Sequence, residues 1–269
     1  MYNVDILRNN GIEVEKGLEL LGDMEMYNSI LKEFYDGYYD RMKKIESYKL
    51  SSDMPNYAIE VHSLKSDSRY LGITNLADMA YNHEMASKAN DVESVNNHYN
   101  ELIIEGNRVI TAIKEYFTQT AASVEFVVPP TVEEEPLSIT ADINTTKQTI
   151  LVADDSSVIR DFVKEIFNDK YEVLMASDGK EVINIVNSNR NIACLLLDLN
   201  MPNLDGFGVL EHFKEYNLFN KIPVSIISGA NDKSSIDRAF SYDIVDMLNK
   251  PFNMSNVRMV VEKTISFKN

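Results

Sequence analysis

Six side chains in the second half of the chain each stand at or just after the end of a short apolar run. Asp154 and Asp155 follow residues 149–153, Asp198 follows 192–197, Ser228 follows 223–227, and Lys250 with Pro251 follows 244–248. Three carboxylates brought to one edge repel one another unless a cation lies between them. An all-oxygen donor set of this kind suits Mg²⁺, which keeps several of its waters. An ammonium at Lys250 can contact an anionic group carried on the central carboxylate, and the Ser228 hydroxyl can hydrogen-bond another of its oxygens. Such a set can hold a phosphorylated aspartate.

The first half offers a histidine. On a wheel of about 100° per residue, Tyr57, Val61, Leu64, Ser68 and Leu71 gather on one side, while His62, Lys65, Ser66 and Arg69 occupy the opposite arc. The His62 imidazole is therefore expected to face water. Ala58 and Ser66, one turn away on either side, are small and leave room for another protein to reach the ring. Lys65 and Arg69 bring positive charge where a phosphoryl group of about −1.5 to −2 requires it. An imidazole with a pKa near ~6.5 is largely neutral and nucleophilic at cellular pH. His83 lies on the apolar stripe of its helix and is expected in the core; His98 and His212, beside charged neighbours, are expected at the surface. The lone Cys194, in an apolar run, is expected to be a buried hydrophobe, with neither a disulfide nor a CxxC metal site available within the chain.

These residues need elements to position them. A chain of 269 residues corresponds to about two domains at roughly 100 to 200 residues each. Residues 119–147 hold Pro129, Pro130 and Pro136 with Glu133, Glu134 and Glu135, and one basic against five acidic side chains. Such a segment cannot bury enough apolar surface to offset its ordering entropy and is expected to be an acidic linker. Before it, Tyr27, Ile30, Leu31, Phe34, Tyr38, Met42 and Ile45 recur at helical spacing, as do Leu76, Met79, Ala80, His83 and Ala86, and then Val95 through Phe117. An all-α antiparallel bundle over residues 1–118 is expected, with Asp91 and Ser94 marking the start of its last helix. After the linker, the five short apolar runs alternate with amphipathic helical stretches. That alternation predicts a doubly wound α/β domain over 148–269, its parallel sheet covered on both faces and its chemistry at the carboxyl ends of the strands. The net charge of −16 argues against nucleic acid as a partner. No stretch approaches the roughly 18 apolar residues of a membrane span, and a cytoplasmic protein is expected.

The second half resembles the response-regulator receiver domain. The matching residues are "VADDS" with Asp154 and Asp155, "LLLDLNMPNLDG" with Asp198, Met201, Pro202, Asp205 and Gly206, "IISGA" with Ser228, and "NKPF" with Lys250 and Pro251. The resemblance implies a flavodoxin-like (βα)5 fold in which Asp198 is the phosphoacceptor. Asp154, Asp155, Asp198 and the main-chain carbonyl of Asn200 would hold Mg²⁺, Ser228 would be the switch hydroxyl, and Lys250 the counterion, with a cis bond to Pro251. Two departures stand out. Met247 replaces the aromatic residue usual three positions before the lysine, and Asp243 and Ile244 replace a Gly-Ala pair at the fifth strand. Phosphorylation chemistry is expected to be intact and output through the last strand and helix unconventional.

The first half resembles the histidine-containing phosphotransfer (HPt) domain, a four-helix bundle. It does so through "VHSLKSDSRYLG" with His62, Lys65 and Gly72, and through the leading segment "GIEVEKGLELLGDMEMYNSILKEF". Ser66 stands where glycine is usual, and Arg69 where the family has a small residue. Together the two resemblances imply a Mg²⁺-dependent phosphorelay protein carrying phosphoryl groups on His62 and Asp198. Its partners would be a histidine kinase or other receiver or HPt proteins, with no small-molecule substrate beyond phosphodonors and output through protein contact. A linker of about 30 residues spans about 30 Å as a flexible coil, so exchange within one chain is geometrically allowed. Two alternatives compete. One is an interaction module gated by phosphorylation, whose bundle only docks partners; the other, more distant, is an aspartate-dependent phosphatase, which would want a second aspartate where Asn200 stands. ATP-dependent kinase activity is not expected, because no P-loop or Gly-rich nucleotide lid is present.

Overall fold

A computed structural model describes residues 2–119, 147–188, 191–229 and 233–267. The expected acidic linker falls almost wholly outside the described residues.

The first half consists of helices: α1 (Asp5–Asn9), α2 (Val14–Leu21), α3 (Met24–Leu50), α4 (Met54–Tyr70), α5 (Thr74–Lys88) and α6 (Val92–Thr118). The start of α3 is set by Asp23, whose carboxylate accepts from the Glu25 and Met26 amides at 2.9 Å, and that of α6 by Asp91, which accepts from the Ser94 amide. The seven α3 residues expected from helical spacing, Tyr27 through Ile45, are the seven that α3 buries. His83 is buried, its Nδ1 2.8 Å from the Tyr57 hydroxyl. Helix α4 ends at a left-handed Gly72 (φ +71°), where a Cβ would stand 2.2 Å from the Glu13 carbonyl oxygen. That glycine lets the Glu13 amide donate to the Gly72 carbonyl at 2.9 Å, tying the leading helices to the end of α4.

The second half alternates β1 (Thr149–Ala153), α7 (Ser157–Phe167), β2 (Glu172–Ala176), α8 (Gly179–Ser188), β3 (Ile192–Asp198), α9 (Gly206–Glu215), β4 (Val224–Gly229), α10 (Lys233–Ala239), β5 (Asp246–Lys250) and α11 (Met254–Ser266). All pairings are parallel, in the order β2-β1-β3-β4-β5. Strands β1 and β3 are buried along their whole length, as the near-continuous apolar runs require. The fifth strand begins two residues later than the sequence pattern suggested, because Ile244 belongs to the preceding turn. Cys194 is fully buried, which pushes its thiol up to about 12.

The two halves share a core. One apolar cluster runs from the bundle through Val158, Phe162, Phe252 and Val261, and a second lies on the opposite side of the sheet around Leu197, Val209 and Phe213. Tyr70, at the end of α4, bridges the halves: its ring centroid lies 5.5 Å from that of Phe252 and 6.1 Å from that of Phe162. No described helix is long and apolar enough to cross a membrane.

Candidate functional site

Parallel register brings the strand ends level. Ala153 pairs with Leu197, Asp198 with Ile227, Ser228 with Asn249 and Gly229 with Lys250. Asp154, Asp155, Asp198, Ser228 and Lys250 therefore converge at one edge, where the strand order reverses between β1 and β3. Lys250 Nζ lies 2.8 Å from Asp154 Oδ2 and 2.8 Å from Asp198 Oδ2. The Ser156 amide donates to Asp154 Oδ1 at 3.0 Å, and the Asn200 amide donates to Asp198 Oδ1 at 3.3 Å. Ser228 is 2 % exposed, its hydroxyl donating to the Gly229 carbonyl at 3.3 Å. The Lys250–Pro251 bond is cis. Gly206 lets α9 start against this edge, since a Cβ there would stand 2.3 Å from the Asp198 carbonyl oxygen.

Burial, reinforced by Asp198 and opposed by Lys250, raises Asp154 to about 6. Asp155 is pushed well above the usual carboxylate range by burial and then by the charges of Asp154 and Asp198. Burial works against the Lys250 ammonium, but the three carboxylates outweigh it and hold it protonated. One carboxylate oxygen from each aspartate lies within 4.8 Å of the others, and Asp155 Oδ1 is shut off from solvent without a hydrogen-bond donor. Two carboxylates left above their ordinary pKa beside a third, with an oxygen that nothing satisfies, form a donor set that fits a hard divalent cation.

The bundle reaches this same edge through α4. Ser63 Oγ donates to Asp155, and Ser156 Oγ donates to Asp67, whose other oxygen takes the Arg41 guanidinium. The Ser156 hydroxyl also caps α7 by accepting from the Ile159 amide at 3.1 Å. Beyond these, the Phe252 amide donates to the Tyr70 hydroxyl at 3.1 Å.

His62 does not face water. It is 9 % exposed, and Lys65 and Ser66 are buried as well; only Arg69 of the expected arc stays exposed, its guanidinium 5.9 Å above the Tyr81 ring. The wheel placed this arc opposite the bundle core correctly, but α5 and the second half cover it. His62 Nδ1 lies 2.8 Å from Glu84 Oε1, and Glu84 also takes Lys65 Nζ at 2.5 Å and Lys88 Nζ at 2.6 Å. The Lys65 charge is thus engaged by Glu84 rather than free. Burial works against the Glu84 carboxylate, yet the hydrogen bonds from His62, Lys65 and Lys88 hold it well below its ordinary range. Burial lowers the His62 pKa, aided by Lys65 and Lys250 and opposed by Glu84. Lys65 Nζ also lies 3.1 Å from Nδ1 but is held more closely by Glu84; a charged carboxylate only accepts, so the shorter Glu84 contact assigns the proton of the neutral imidazole to Nδ1 and the lone pair to Nε2. A cleft of about 550 Å³ joins the two groups of residues, with His62 and Arg69 on one wall and Asn200, Gly229, Lys250 and Pro251 on the other.

Ser63, Asp67, Tyr70, Glu84 and Arg41 were not singled out by sequence reasoning. Ser63, Ser66, Asp67 and Tyr70 do follow an i, i+3, i+4, i+7 stripe beside His62, the pattern of a helix face laid on a partner. Small and polar, it reads as solvated. Glu84 carries no local signal.

Residues 150–262 match the family described as response regulator receiver domain. The two-component response regulator ORR3 of Oryza sativa subsp. indica is 30% identical over 117 residues, which cover 43% of this chain and 89% of that protein. Response regulator RR06 of Streptococcus pneumoniae is 37% identical over 106 residues, covering 39% of this chain and 47% of its own length. Among solved structures, a response regulator receiver domain protein from Clostridium thermocellum aligns with 45% of this chain and 96% of its own, at 28% identity and a TM-score of 0.42.

Proposed function

The chain belongs to the response-regulator family through a receiver domain at residues 150–262, and from that premise we propose that it is a phosphorelay protein whose HPt-like bundle carries phosphate on His62 and whose receiver carries it on Asp198. The observation that bears most of this is the shared cleft, with a neutral, Nδ1-protonated His62 on one wall and Lys250 and Asn200 of the aspartate edge on the other.

Asp198 is assigned as the acceptor because it closes the central strand β3 between Asp154 just after β1 and Ser228 on β4, with the Lys250 ammonium and the Asn200 amide orienting its two oxygens. Asp154, Asp155, Asp198 and the Asn200 carbonyl would hold Mg²⁺, which when bound neutralises the aspartates and the charge on the phosphoryl oxygens. Lys250 supplies fixed positive charge at the same place, and Ser228 a hydroxyl near the strand end for a phosphoryl oxygen. On the bundle side, Glu84 keeps the proton on Nδ1, so Nε2 is free to form or release a bond to phosphorus. Kinases and phosphotransfer proteins, the usual partners of receivers, would supply or remove the phosphoryl group when α4 is lifted from the receiver edge. Met247 stands half-buried on β5 against the second core, where the family's aromatic switch residue is absent; output therefore passes by another route.

The test is to incubate the chain with a small phosphodonor and Mg²⁺ and compare wild type with His62→Gln and Asp198→Asn. Acid-labile phosphohistidine disappears only in the first variant, and base-labile acyl phosphate only in the second. Absence of label at both sites in the wild type excludes the relay. Label on Asp198 that never reaches or leaves His62 instead supports a phosphorylation-gated docking module.

Gly229 bears on the lifetime of that acyl phosphate. A Cβ at this position meets nothing within 4 Å, so Gly229→Ala should fold normally while narrowing the way to Asp198. Its phosphorylated form is expected to hydrolyse about threefold more slowly, or ~0.6 kcal/mol in the barrier. An unchanged decay of the labelled protein would refute this.

A further inference from the structure

We propose that the phosphotransfer partner of His62 is Asp198 of the same chain, the bundle being docked in cis on the active edge of its own receiver. This rests on the assignment of both residues as phosphoryl carriers and names the partner of each.

The contacts between the halves lie at the residues that flank the chemistry. Ser63, next to His62, bonds Asp155, next to Asp154. Asp67, one turn further along α4, accepts from Ser156. Tyr70, another turn on, receives the Phe252 amide just beyond Lys250 and Pro251. Helix α4 thus lies along the receiver edge from the β1 end to the β5 end. His62 is beside the stripe that faces this edge, and it forms the wall of the cleft opposite Lys250 and Asn200. The docking is not confined to polar contacts, because Tyr70, Phe162 and Phe252 pack as one aromatic group and the apolar cluster is continuous across the halves.

The same docking keeps other proteins out. Asp198 is 1 % exposed, and the side chains of Lys250 and His62 are 8 % and 11 % exposed. A second protein's helix cannot be laid on Asp198 while α4 is there, and no second receiver can reach His62. A phosphoryl group and a small donor fit a cleft of about 550 Å³. With the halves docked, the cleft that His62 lines ends at Lys250 and Asn200, the two residues bonded to Asp198.

The step balances without a further reactant. An Asp198 oxygen supplies a lone pair to phosphorus as the bond from His62 Nε2 to phosphorus breaks. The electron pair of that bond stays on Nε2, and Nδ1 keeps its proton on Glu84, so a neutral imidazole leaves. The reverse step uses the same atoms.

The experiment loads His62 of the intact two-domain chain with phosphoramidate in Mg²⁺-free buffer, removes the donor, and adds Mg²⁺ at several protein concentrations. Transfer is followed as loss of acid-labile label and gain of base-labile label. The expected rate constant does not change with protein concentration. A mixture of phosphorylated Asp198→Asn with unlabelled His62→Gln, which can react only between chains, is expected to be roughly 100-fold slower at ~10 μM, since tethered groups experience about mM effective concentration. A wild-type rate that rises in proportion to concentration, with the mixture equally fast, overturns the cis partnership and leaves the relay intact. Failure of His62 to take label in wild type and Asp198→Asn alike overturns both.

Discussion

Glu84→Ala is expected to destabilise the fold by about 3 to 5 kcal/mol, the usual cost of removing one partner from a buried charge cluster. Glu84 is 2 % exposed and is the common acceptor for His62, Lys65 and Lys88. Without it Lys65, itself buried, faces only the His62 ring at 3.1 Å. Lys88 is half in solvent and can turn away; Lys65 cannot. At about 2 to 4 °C per kcal/mol for a chain of this size, the melting temperature should fall by roughly 10 °C, as thermal unfolding will show. Glu84→Gln keeps the shape, and its amide can either accept from Nδ1 or donate to it. It should cost less stability but slow phosphoryl transfer at His62, because a proton moved to Nε2 blocks the attacking lone pair. The ¹⁵N shifts of the His62 ring report which nitrogen is protonated. A Gln variant with unchanged tautomer and unchanged transfer rate would remove Glu84 from any positioning role.

Asp155→Asn is expected to move stability and chemistry in opposite directions. In the metal-free protein, ionising Asp155 works against burial and the charges of Asp154 and Asp198, which push it well above the usual carboxylate range. A neutral amide relieves that repulsion and can still accept from Ser63. The metal-free variant should therefore be more stable by about 1 kcal/mol or more, one pKa unit being worth ~1.4 kcal/mol. Phosphorylation of Asp198 should nevertheless fall by roughly 10²-fold or more, the scale of losing a few kcal/mol of charge stabilisation in the transition state. The rise in melting temperature that Mg²⁺ produces in the wild type should largely vanish. The pH dependence has the same origin. Asp154 moves from an ordinary 3.8 up to about 6 in the folded chain, so its protonated form favours folding. That contribution is complete below pH 3.8 and is lost as the pH rises through about 6. The benefit of Mg²⁺ to the melting temperature should accordingly be larger at pH 7 than at pH 4, and a benefit equal at both would refute the assignment of the cluster as the cation site.

The receiver edge was legible in the sequence because a parallel α/β domain places its functional groups by a local rule. Each of Asp154, Asp198, Ser228 and Lys250 stands at or beside the end of its own strand, and parallel pairing brings strand ends together without reference to anything distant. The bundle helices were legible for a similar reason: the α3 stripe of Tyr27 through Ile45 reports a buried face directly by its period. The environment of His62 was not. Periodicity says which face of α4 meets the bundle core, but a second contact made of serines and an aspartate looks the same as a solvated face. Its partners lie far away in the chain, Asp155 at 92 residues from Ser63 and Ser156 at 89 from Asp67. Glu84 likewise meets His62 only because α5 folds back along α4. The sequence alone thus determined which carboxylates, hydroxyl, lysine and histidine are available for the proposed phosphoryl chemistry. Tertiary packing alone decided that the histidine is buried, neutral and turned toward the chain's own receiver. Burial and docking depend on contacts between segments that no local pattern encodes.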